Sequence, residues 1–374
     1  MKVLHVFPSF AVGGAEVRFA ALANRFGARW QHMLVALDGR TDCALRISPD
    51  VPFTLVPSPV QKGEGPAGLL RIRTALRQLA PAVLVTSNWG SIEWAAAART
   101  IPGLRHVHTE DGFGPDEAFG QKPRRVLARR LVLSHSAVVL PSMRLLAIAR
   151  DVWRLPERRL HYIPNGLDLS VFAPPPPRGS PEAPLIGTVA KLRPEKNLAR
   201  LLRAVALLQD GGIACRLLVV GDGPQRAELE ALAAERGIAD RVRFAGHVAN
   251  PAGLYAEMDL FALSSDTEQM PFSVLEAMAS ALPVASTDVG DVRSMLAAGN
   301  APFLADRDDA ALAQALGALI ADPALRLELG RANRAKVERD YDQEKMFQAY
   351  AALIDPPDRP PLPETQRTSQ ASSS

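Results

Sequence analysis

Two glutamates that stand eight positions apart, Glu268 and Glu276, lie within the stretch SSDTEQMPFSVLEAMASALPVAST at residues 264–287. On one continuous helix, eight steps of about 100° would leave the two carboxylates about 80° apart and roughly two turns distant, which suits no shared role. Pro271 lies between them, and proline is favoured in the first turn of a helix. The sequence therefore predicts Glu268 on a loop and Glu276 inside the next helix, where the two carboxylates hold different parts of one ligand.

Glycine and lysine residues follow two of the predicted strands. Gly13 and Gly14 come after the first strand and permit a close backbone approach, and the helix predicted from about Ala15 would direct its free amides at a phosphate. Lys191 and Lys196 follow the first strand of the second half, where two cations would neutralise a diphosphate leaving group. The alternatives are a tight turn without a ligand and two solvated lysines.

Two further turns follow predicted strands of the second half. Gly221 begins the sequence GDGP, which resembles a dinucleotide fingerprint, but the third glycine is missing and Pro224 occupies the turn, so a nicotinamide site is excluded. The turn VRFAGHVAN carries His247 and Val248, and its backbone is predicted to border a nucleobase.

The elements that must position these residues are short β-branched runs that alternate with longer Ala/Leu-rich helical patterns. This alternation predicts an α/β fold with two doubly wound parallel sheets, whose ligands bind at the carboxyl ends of the strands in the cleft between the domains. A strand is also expected in LRHVHTEDGFGP. The other predicted strands cover residues 2–7, 33–37, 83–86, 137–140, 185–190, 215–220, 241–244, 259–263 and 283–286.

The Pro-rich segment APPPPRGSPEAP, residues 173–184, is predicted to be a stiff connector. It separates a first domain at residues 1–172 from a second domain at residues 185–354, whose last helix is a candidate to pack back on the first domain. The tail at residues 355–374 is rich in Pro, Ser and Thr and is predicted to be disordered.

The composition is that of a globular protein, with 47% hydrophobic and 22% charged residues, and no apolar run approaches the roughly 18 residues of a membrane span. The N-terminus does not resemble a secretory signal, because Pro8 interrupts its apolar stretch. Cys43 and Cys215 lack metal-ligand spacing, so we expect reduced thiols in a cytoplasmic protein, with neither a disulfide nor a metal site.

Charge is distributed unevenly along the chain. Residues 1–172 hold 22 Lys and Arg against 13 Asp and Glu, a net +9, whereas the remainder holds 21 against 27, a net −6. Between Lys122 and Leu133, five cations interleave with apolar residues at helical spacing. This pattern is typical of a helix on an anionic membrane surface, and also of a solvated helix that packs on its own domain. Nucleic acid is not an expected partner, since no reader motif accompanies the charge.

Six motifs stand in order along the chain: GGAE after the first strand, IPNGLD before the linker, KLRPEKN, GDGP, VRFAGHV, and the Glu268 to Glu276 stretch with LEAMA and PVAST. In order and spacing they resemble the retaining nucleotide-sugar glycosyltransferases of the GT-B fold, carbohydrate-enzyme family four, up to about residue 354. The resemblance implies two Rossmann-like domains that face each other across a cleft. It also implies transfer of a sugar from a nucleoside diphosphate sugar to an acceptor hydroxyl with retained anomeric configuration, in polysaccharide or glycolipid synthesis at the cell surface.

The resemblance assigns roles to the residues on the donor side. Glu268 would approach the hydroxyls of the donor sugar, and Glu276 would bind the ribose hydroxyls. Lys191 and Lys196 would hold the leaving diphosphate, with Gly14 closing on it from the first domain. The stretch whose amides would meet the same diphosphate is Met270, Pro271, Phe272 and Ser273. Enzymes of this kind usually need no metal, and UDP is favoured over GDP as the donor nucleotide.

Four positions depart from the usual family pattern. Lys191 stands where an arginine is common, which keeps the charge and loses the bidentate fork. Gln269 and Met270 replace the glycine after the first glutamate, and Ala281 replaces the glycine before LPV.

The strand within LRHVHTEDGFGP bears on the acceptor side, since relatives often present a histidine just after it. Counted by the threonine-any-residue-histidine pattern, that position is Asp111. By side-chain chemistry, the candidate is the nearby histidine, His108, and both assignments stay open. Expected acceptors are a saccharide or a lipid-linked saccharide at the inner face of a membrane. The rivals of a transferase are a nucleotide-sugar epimerase on a similar frame and an inactive nucleotide-sugar-binding protein.

Overall fold

The computed structural model describes residues 1–61, 64–113, 117, 120–174 and 183–356. Two parallel β-sheets, one in each half of the chain, confirm the predicted α/β class. The central strands are short apolar runs without exposed positions, as expected for parallel strands that helices cover on both faces.

The described part of the first domain contains seven strands and five α-helices. The strands are β1 (Lys2–Phe7), β2 (Gln31–Ala36), β3 (Phe53–Leu55), β4 (Val83–Ser87), β5 (Arg105–Thr109), β6 (Ala137–Leu140) and β7 (Leu160–Tyr162). The helices are α1 (Gly14–Phe26), α2 (Gly65–Leu79), α3 (Ile92–Ala98), α4 (Pro123–Leu133) and α5 (Met143–Asp151). The strand order in the sheet is β3-β2-β1-β4-β5-β6-β7.

The described part of the second half contains six strands and eight α-helices. The strands are β8 (Leu185–Val189), β9 (Arg216–Val220), β10 (Val242–Gly246), β11 (Leu260–Leu263), β12 (Val284–Thr287) and β13 (Leu304–Ala305). The helices are α6 (Leu198–Asp210), α7 (Arg226–Glu235), α8 (Ala252–Tyr255), α9 (Phe272–Ala279), α10 (Val292–Met295), α11 (Asp309–Ala321), α12 (Pro323–Asp340) and α13 (Gln343–Ile354). The strand order in this sheet is β10-β9-β8-β11-β12-β13.

Helix α13 returns to the first domain. Met346, Phe347 and Tyr350 pack in one apolar cluster with Val3 and Val83 of the first sheet. The end of the chain therefore ties the second half back to the first.

Three strands escaped the sequence analysis: β3, β7 and β13. Each lies at an edge of its sheet and has only two or three residues, too few to show a hydrophobic period. Residues 175–182 of the predicted linker and residues 357–374 of the predicted tail lie outside the described residues.

Helices α11 and α12 bear on membrane insertion. Within the described ranges, no single helix is long and apolar enough to cross a bilayer. Helices α11 and α12, which meet at a bend of 103°, reach the required length and apolar character only when they are taken together.

The strand order reverses beside the first strand of each sheet. β1 lies between β2 and β4, and β8 lies between β9 and β11. Loops diverge at such a reversal and leave a crevice at the carboxyl ends of the strands. Lys191, after β8, reaches the loop after β1, where its Nζ donates to the Val12 carbonyl (3.0 Å). The two crevices therefore face each other.

The basic stretch between Lys122 and Leu133 forms α4, and its central arginine lies inside the domain. Arg129 is completely buried, and its guanidinium donates to the carboxylates of Glu110 (3.2 Å) and Glu117 (3.2 Å). Three aromatic rings lie 4.9 to 5.4 Å from its Cζ atom, those of Trp89, Phe113 and Trp153. Arg129 is therefore part of the core rather than of a surface.

The remaining cations of α4 divide between interior and solvent. Arg125 also pairs with Glu117 (3.0 Å), whereas Arg124 and Arg130 are exposed. Burial opposes ionisation of Glu117, but hydrogen bonds from Arg129 and Arg125 hold the pKa of Glu117 below its usual value. The solvent-facing basic surface is thus narrower than the sequence pattern indicated.

Replacing Arg129 by Met should destabilise the first domain by about 3 to 5 kcal/mol, because the buried Glu110 would lose its cation and the buried Glu117 would lose one of its two. The thermal unfolding midpoint should fall by on the order of 10 °C. The deficit should shrink below about pH 4, because the contribution of a carboxylate with a depressed pKa is lost as the pH falls.

Arg130→Met, one position along the same helix, is the matched control. Because Arg130 is exposed, its midpoint should stay within about 2 °C of the parent. Equal midpoints for the two variants would show that the buried ion pairs contribute nothing to stability.

Candidate active site

A pocket of about 400 Å³ lies between the two domains, at the carboxyl ends of both sheets. The first domain contributes the start of α1 and the loop after β5, and the second contributes the loop between β11 and α9. The predicted site residues that line it are Gly14, Asp111, Lys196, Glu268, Met270, Pro271 and Phe272. Residues far apart in sequence therefore converge on one pocket.

Glu268 lies on the loop after β11, and its carboxylate is held by two donors. Lys196 Nζ donates to Glu268 Oε1 (2.6 Å), and Ser265 Oγ donates to the same oxygen (2.7 Å). The side chains of Glu268 and Lys196 are only 9% and 25% exposed, so solvent screens their attraction weakly. This arrangement leaves Oε2 of Glu268 to a ligand, beside a fixed cation.

Two helix N-termini flank the pocket. Helix α9 begins at Phe272, directly after Pro271, so Glu276 lies in its second turn and Glu268 precedes it, as predicted. Helix α1 begins at Gly14, and a Cβ atom there would lie 3.3 Å from the Phe272 ring. The positive ends of the two helix dipoles suit a phosphate group between the domains.

Glu276 is positioned by a tyrosine. The hydroxyl of Tyr255 donates to Glu276 Oε2 (2.7 Å), and the Tyr255 ring is buried against Phe261. Burial raises the pKa of Glu276, and the hydrogen bond from Tyr255 counteracts that shift. Tyr255 therefore fixes one carboxylate oxygen and leaves the other available to a ligand hydroxyl.

Arg18 holds two loops of the first domain together at the pocket, and one of them contacts the second domain. It is 7% exposed, and its Nη1 lies 2.6 Å from Asp111 Oδ1 and 2.7 Å from Asn165 Oδ1. Asn165 in turn donates through Nδ2 to the carbonyl of Met270 in the second domain (3.1 Å). Burial alone would lower the pKa of Arg18, but the Asp111 carboxylate leaves it above the usual value.

The structure separates the two candidates for the acceptor side. Asp111 lines the pocket. His108 is completely buried in β5, with Nδ1 2.8 Å from Thr86 Oγ1 and Nε2 3.5 Å from Glu110 Oε2. The assignment of His108 to the sugar side is therefore wrong, because its side chain points into the domain.

The other predicted donor-site residues lie outside the pocket lining: Gly13, Lys191, Gly221, His247, Val248, Ser273 and Glu276. Gly221 has a φ of 135°, and a Cβ atom there would lie 1.8 Å from the carbonyl oxygen of Ala190, so close packing requires the glycine. His247 is exposed and Val248 is half-buried just after β10. Their contact with a nucleobase stays a prediction.

Asp291 couples the domains beside the pocket. Its carboxylate accepts from the first two amides of α5, those of Met143 (2.5 Å) and Arg144 (3.1 Å). Burial raises the pKa of Asp291, while the two amides lower it. Gly290, with a φ of 57°, precedes it, and a Cβ atom there would lie 2.5 Å from the Glu268 carbonyl. Asp291 thus caps a helix of the other domain.

Comparison with known proteins identifies the family. Residues 12–171 match the model described as Glycosyltransferase Family 4, and residues 183–322 match the model described as Glycosyl transferases group 1. The D-inositol 3-phosphate glycosyltransferase of Xylanimonas cellulosilytica is 30% identical over 321 residues, which are 77% of this chain and 74% of that protein. The chain belongs to this glycosyltransferase family.

Further relatives of this glycosyltransferase extend the comparison. The lipopolysaccharide core biosynthesis glycosyltransferase LpsE of Rhizobium meliloti is 30% identical over 174 residues, 46% of this chain and 50% of that protein. Anabaena HepE in complex with UDP-glucose superposes with a TM-score of 0.78, at 19% identity, over 95% of this chain and 99% of that chain. The glycosyltransferase therefore has the predicted GT-B fold.

The sequence analysis missed several residues at or beside the site, among them Arg18, Asn165, Tyr255 and Asp291. Arg18 stands four positions after Gly14 and so shares a face of α1, which is a signal that the sequence does carry. Asn165 belongs to the motif IPNGLD. Tyr255 and Asp291 carry no local signal, because their contacts span 21 and 147 positions of the chain.

Asp291→Ala should loosen the contact between the domains, because α5 loses its capping carboxylate. Amide hydrogen exchange at Met143 and Arg144 should accelerate, with a stability loss of about 1 kcal/mol. Asp288→Ala is the matched control, since Asp288 is exposed and pairs with the exposed Arg293. Unchanged exchange at both amides in Asp291→Ala would exclude the capping role.

Proposed function

We propose that this glycosyltransferase is a retaining enzyme that moves a sugar from a nucleoside diphosphate sugar, UDP rather than GDP, to an acceptor hydroxyl. The observation that carries this proposal is the Lys196–Glu268 pair, held beside the start of α9 and facing the start of α1. The cation and the helix ends would bind a diphosphate, and the carboxylate oxygen would bind a sugar hydroxyl.

Leaving-group stabilisation is the chemistry that the charges favour. Negative charge develops on the departing diphosphate, and preorganised donors stabilise that charge without reorganising during the reaction. Lys196 is already fixed by Glu268 (2.6 Å), and the buried Arg18 adds a second cation at the pocket. Donor and acceptor would be held across the cleft, which converts the transfer into a step between positioned groups.

Two of the pocket carboxylates form ion pairs, which supports retention of the anomeric configuration. An inverting transfer needs a free base on the acceptor side to accept the proton of the attacking hydroxyl. Asp111, the pocket carboxylate of the first, acceptor-side domain, is bound by Arg18 (2.6 Å). In the second domain Glu268 is bound by Lys196 (2.6 Å), and Glu195 also lines the pocket but follows β8 on the donor side. A mechanism that relies on the departing diphosphate needs no such base.

The choice of UDP over GDP rests on a structural neighbour, whereas Glu276 supports a ribonucleotide of either base. Anabaena HepE has been solved with UDP and with UDP-glucose. In this chain, Tyr255 orients the carboxylate of Glu276 within α9, next to the residues that would meet the diphosphate. Ribose hydroxyls are suitable donors to a carboxylate held in this way.

Glu276→Ala should weaken UDP binding by about 1.5 to 3 kcal/mol, roughly ten- to hundredfold, because the ribose hydroxyls lose a charged acceptor. Isothermal titration calorimetry measures this change. Tyr255→Phe keeps the Glu276 carboxylate but removes the hydrogen bond that orients it, so a smaller loss of UDP affinity, roughly two- to tenfold, is expected. Glu268→Ala should lower turnover more than UDP affinity.

Glu235→Ala, an exposed glutamate of the same domain, is the control and should bind UDP like the parent. If Glu276→Ala keeps parental UDP affinity but loses thermal stability, Glu276 is a structural residue and its assignment to the ribose fails.

The transfer should proceed without a divalent metal, since Lys196 and the helix ends supply the positive field around the diphosphate. Turnover is expected to persist in excess EDTA, and Lys196→Ala should lower kcat by on the order of 10²-fold. Lys336→Ala, on α12 outside the pocket, should leave kcat unchanged. Loss of turnover in EDTA that magnesium or manganese restores would contradict the metal-free mechanism.

The acceptor is proposed to be a saccharide or lipid-linked saccharide at the inner face of a membrane. Support comes from α4, where Leu127 and Leu131 are 56% and 57% exposed and stand beside the exposed Arg124 and Arg130. Apolar and cationic side chains on one exposed helix face suit an anionic bilayer surface. Arg125 and Arg129 take no part, because Glu117 holds both.

Replacing Arg124 and Arg130 by Gln should weaken binding to phosphatidylglycerol vesicles roughly thirtyfold, since each cation contributes about 1 kcal/mol near an anionic leaflet. Co-sedimentation at low and high salt measures this, and high salt should weaken the parent as well. The double variant Arg236→Gln with Arg331→Gln removes the same charge from the second domain and should sediment like the parent. Recovery of the parent in the supernatant at low salt would contradict the membrane role.

A further inference from the structure

A second cavity, of about 580 Å³, lies in the first domain at the opposite end of its sheet from the candidate active site. It opens where β5, β6 and β7 begin, and the ends of α3 and α13 form its sides. The active-site pocket lies at the carboxyl ends of the strands, so the length of the sheet separates the two cavities.

The lining of this cavity is strongly cationic. Among the described residues no Asp or Glu lines it, and the nearby Asp355 is held by Arg29 (2.9 Å). The arginines and histidines of the lining are Arg99, Arg105, Arg158, Arg159, His106, His135 and His161. Four guanidinium groups around one cavity repel one another, and a bound anion would relieve that repulsion.

Two of the four arginines serve the fold. Arg99 donates to the carbonyl of Leu131 in the last turn of α4. Arg105 donates to the carbonyls of Leu353 and Ile354 at the end of α13. Cations at helix C-termini satisfy terminal carbonyls and favour the helix dipole, which accounts for these two side chains.

The other two arginines have no such partner. Within the described residues, neither Arg158 nor Arg159 forms an ion pair, and the buried Nε of Arg159 makes no hydrogen bond. Arg158 is exposed at the rim of the cavity. Burial lowers the pKa of His161, and the charge of Arg159 lowers it further, which is consistent with a positive potential in the cavity. Arg158 and Arg159 are therefore the donors that the fold leaves for a ligand.

We propose that this cavity binds a phosphate group through Arg158 and Arg159, with His135 and His161 beside it. The planar fork of a guanidinium matches pairs of phosphate oxygens. Among the described residues no phenyl, phenol or indole ring lines the cavity, so the phosphate itself, rather than a stacked base, is the recognised group. The site stands apart from the pocket of the proposed transfer and would exist whether or not that function is right.

The phosphate has two possible sources, a soluble anion or the headgroup of a phospholipid. The rim of the cavity adjoins the exposed face of α4, because Arg99 contacts the Leu131 carbonyl and His135 follows that helix. A headgroup in the cavity would place its acyl chains along the exposed side chain of Leu131. The shared chemistry is the phosphate, and the two sources require separate probes.

Isothermal titration with inorganic phosphate at low salt tests the soluble source. The full chain carrying Lys196→Ala is used, so that the active-site pocket contributes little. Adding Arg158→Gln and Arg159→Gln should weaken phosphate binding at least tenfold, because two charge-assisted donors are lost. Adding Arg331→Gln and Lys336→Gln instead removes the same charge from α12 and should leave phosphate binding unchanged.

Phosphatidylglycerol vesicles test the lipid source with the same variants, after thermal unfolding has shown equal midpoints. Binding of inorganic phosphate that the cavity substitutions abolish assigns a soluble anion. Vesicle binding that the cavity substitutions weaken at least tenfold, without phosphate binding, assigns a lipid headgroup. If the cavity variant and the α12 variant bind both probes equally, or if the parent binds neither, the cavity is not a phosphate site.

Discussion

The buried guanidinium of Arg18 is the interaction on which the arrangement of the pocket depends. Helix α1 places it between Asp111, after β5, and Asn165, after β7. A cation with 7% exposure is tolerated only with such partners, so both loops must close around it. Asn165 extends the contact to the Met270 carbonyl, and the start of α9 in the second domain is thereby set from the first.

The second domain completes the pocket by the same physical means. Lys196 holds Glu268, Tyr255 holds Glu276, and the carboxylate of Asp291 caps α5 across the cleft. Each of the two glutamates has one oxygen fixed by the protein, which leaves the other to a ligand. Groups oriented before the ligand arrives need little reorganisation during reaction, which is the condition for electrostatic catalysis.

The placement of Glu268 on a loop and of Glu276 in the next helix could be predicted from the sequence because its signal is local. Pro271 marks the start of a helix, and this places Glu268 before it and Glu276 within it. The acceptor-side residue could not be predicted in this way. His108 lies in a strand and Asp111 in the loop that follows it, and only the folded structure shows which side chain faces the pocket. Arg129 shows the same limit: a helical pattern does not distinguish it from the exposed Arg130, because Glu117 pairs with Arg129 through tertiary folding. Ala281, with a φ of 54°, occupies a left-handed position where the family pattern has glycine. The sequence indicates that this position is unusual only when it is compared with the family pattern.

The anomeric configuration of the first product tests the central claim most directly. α-Linked UDP-glucose, UDP-galactose and UDP-N-acetylglucosamine can be offered in turn, with water or a simple saccharide as acceptor. Proton NMR, recorded before mutarotation equilibrates the released sugar, resolves the two anomers. We expect the α anomer to form first, since departure of the diphosphate and entry of the acceptor occur on the same face of the sugar. A β anomer that forms first would contradict the retaining mechanism and the leaving-group chemistry on which it rests.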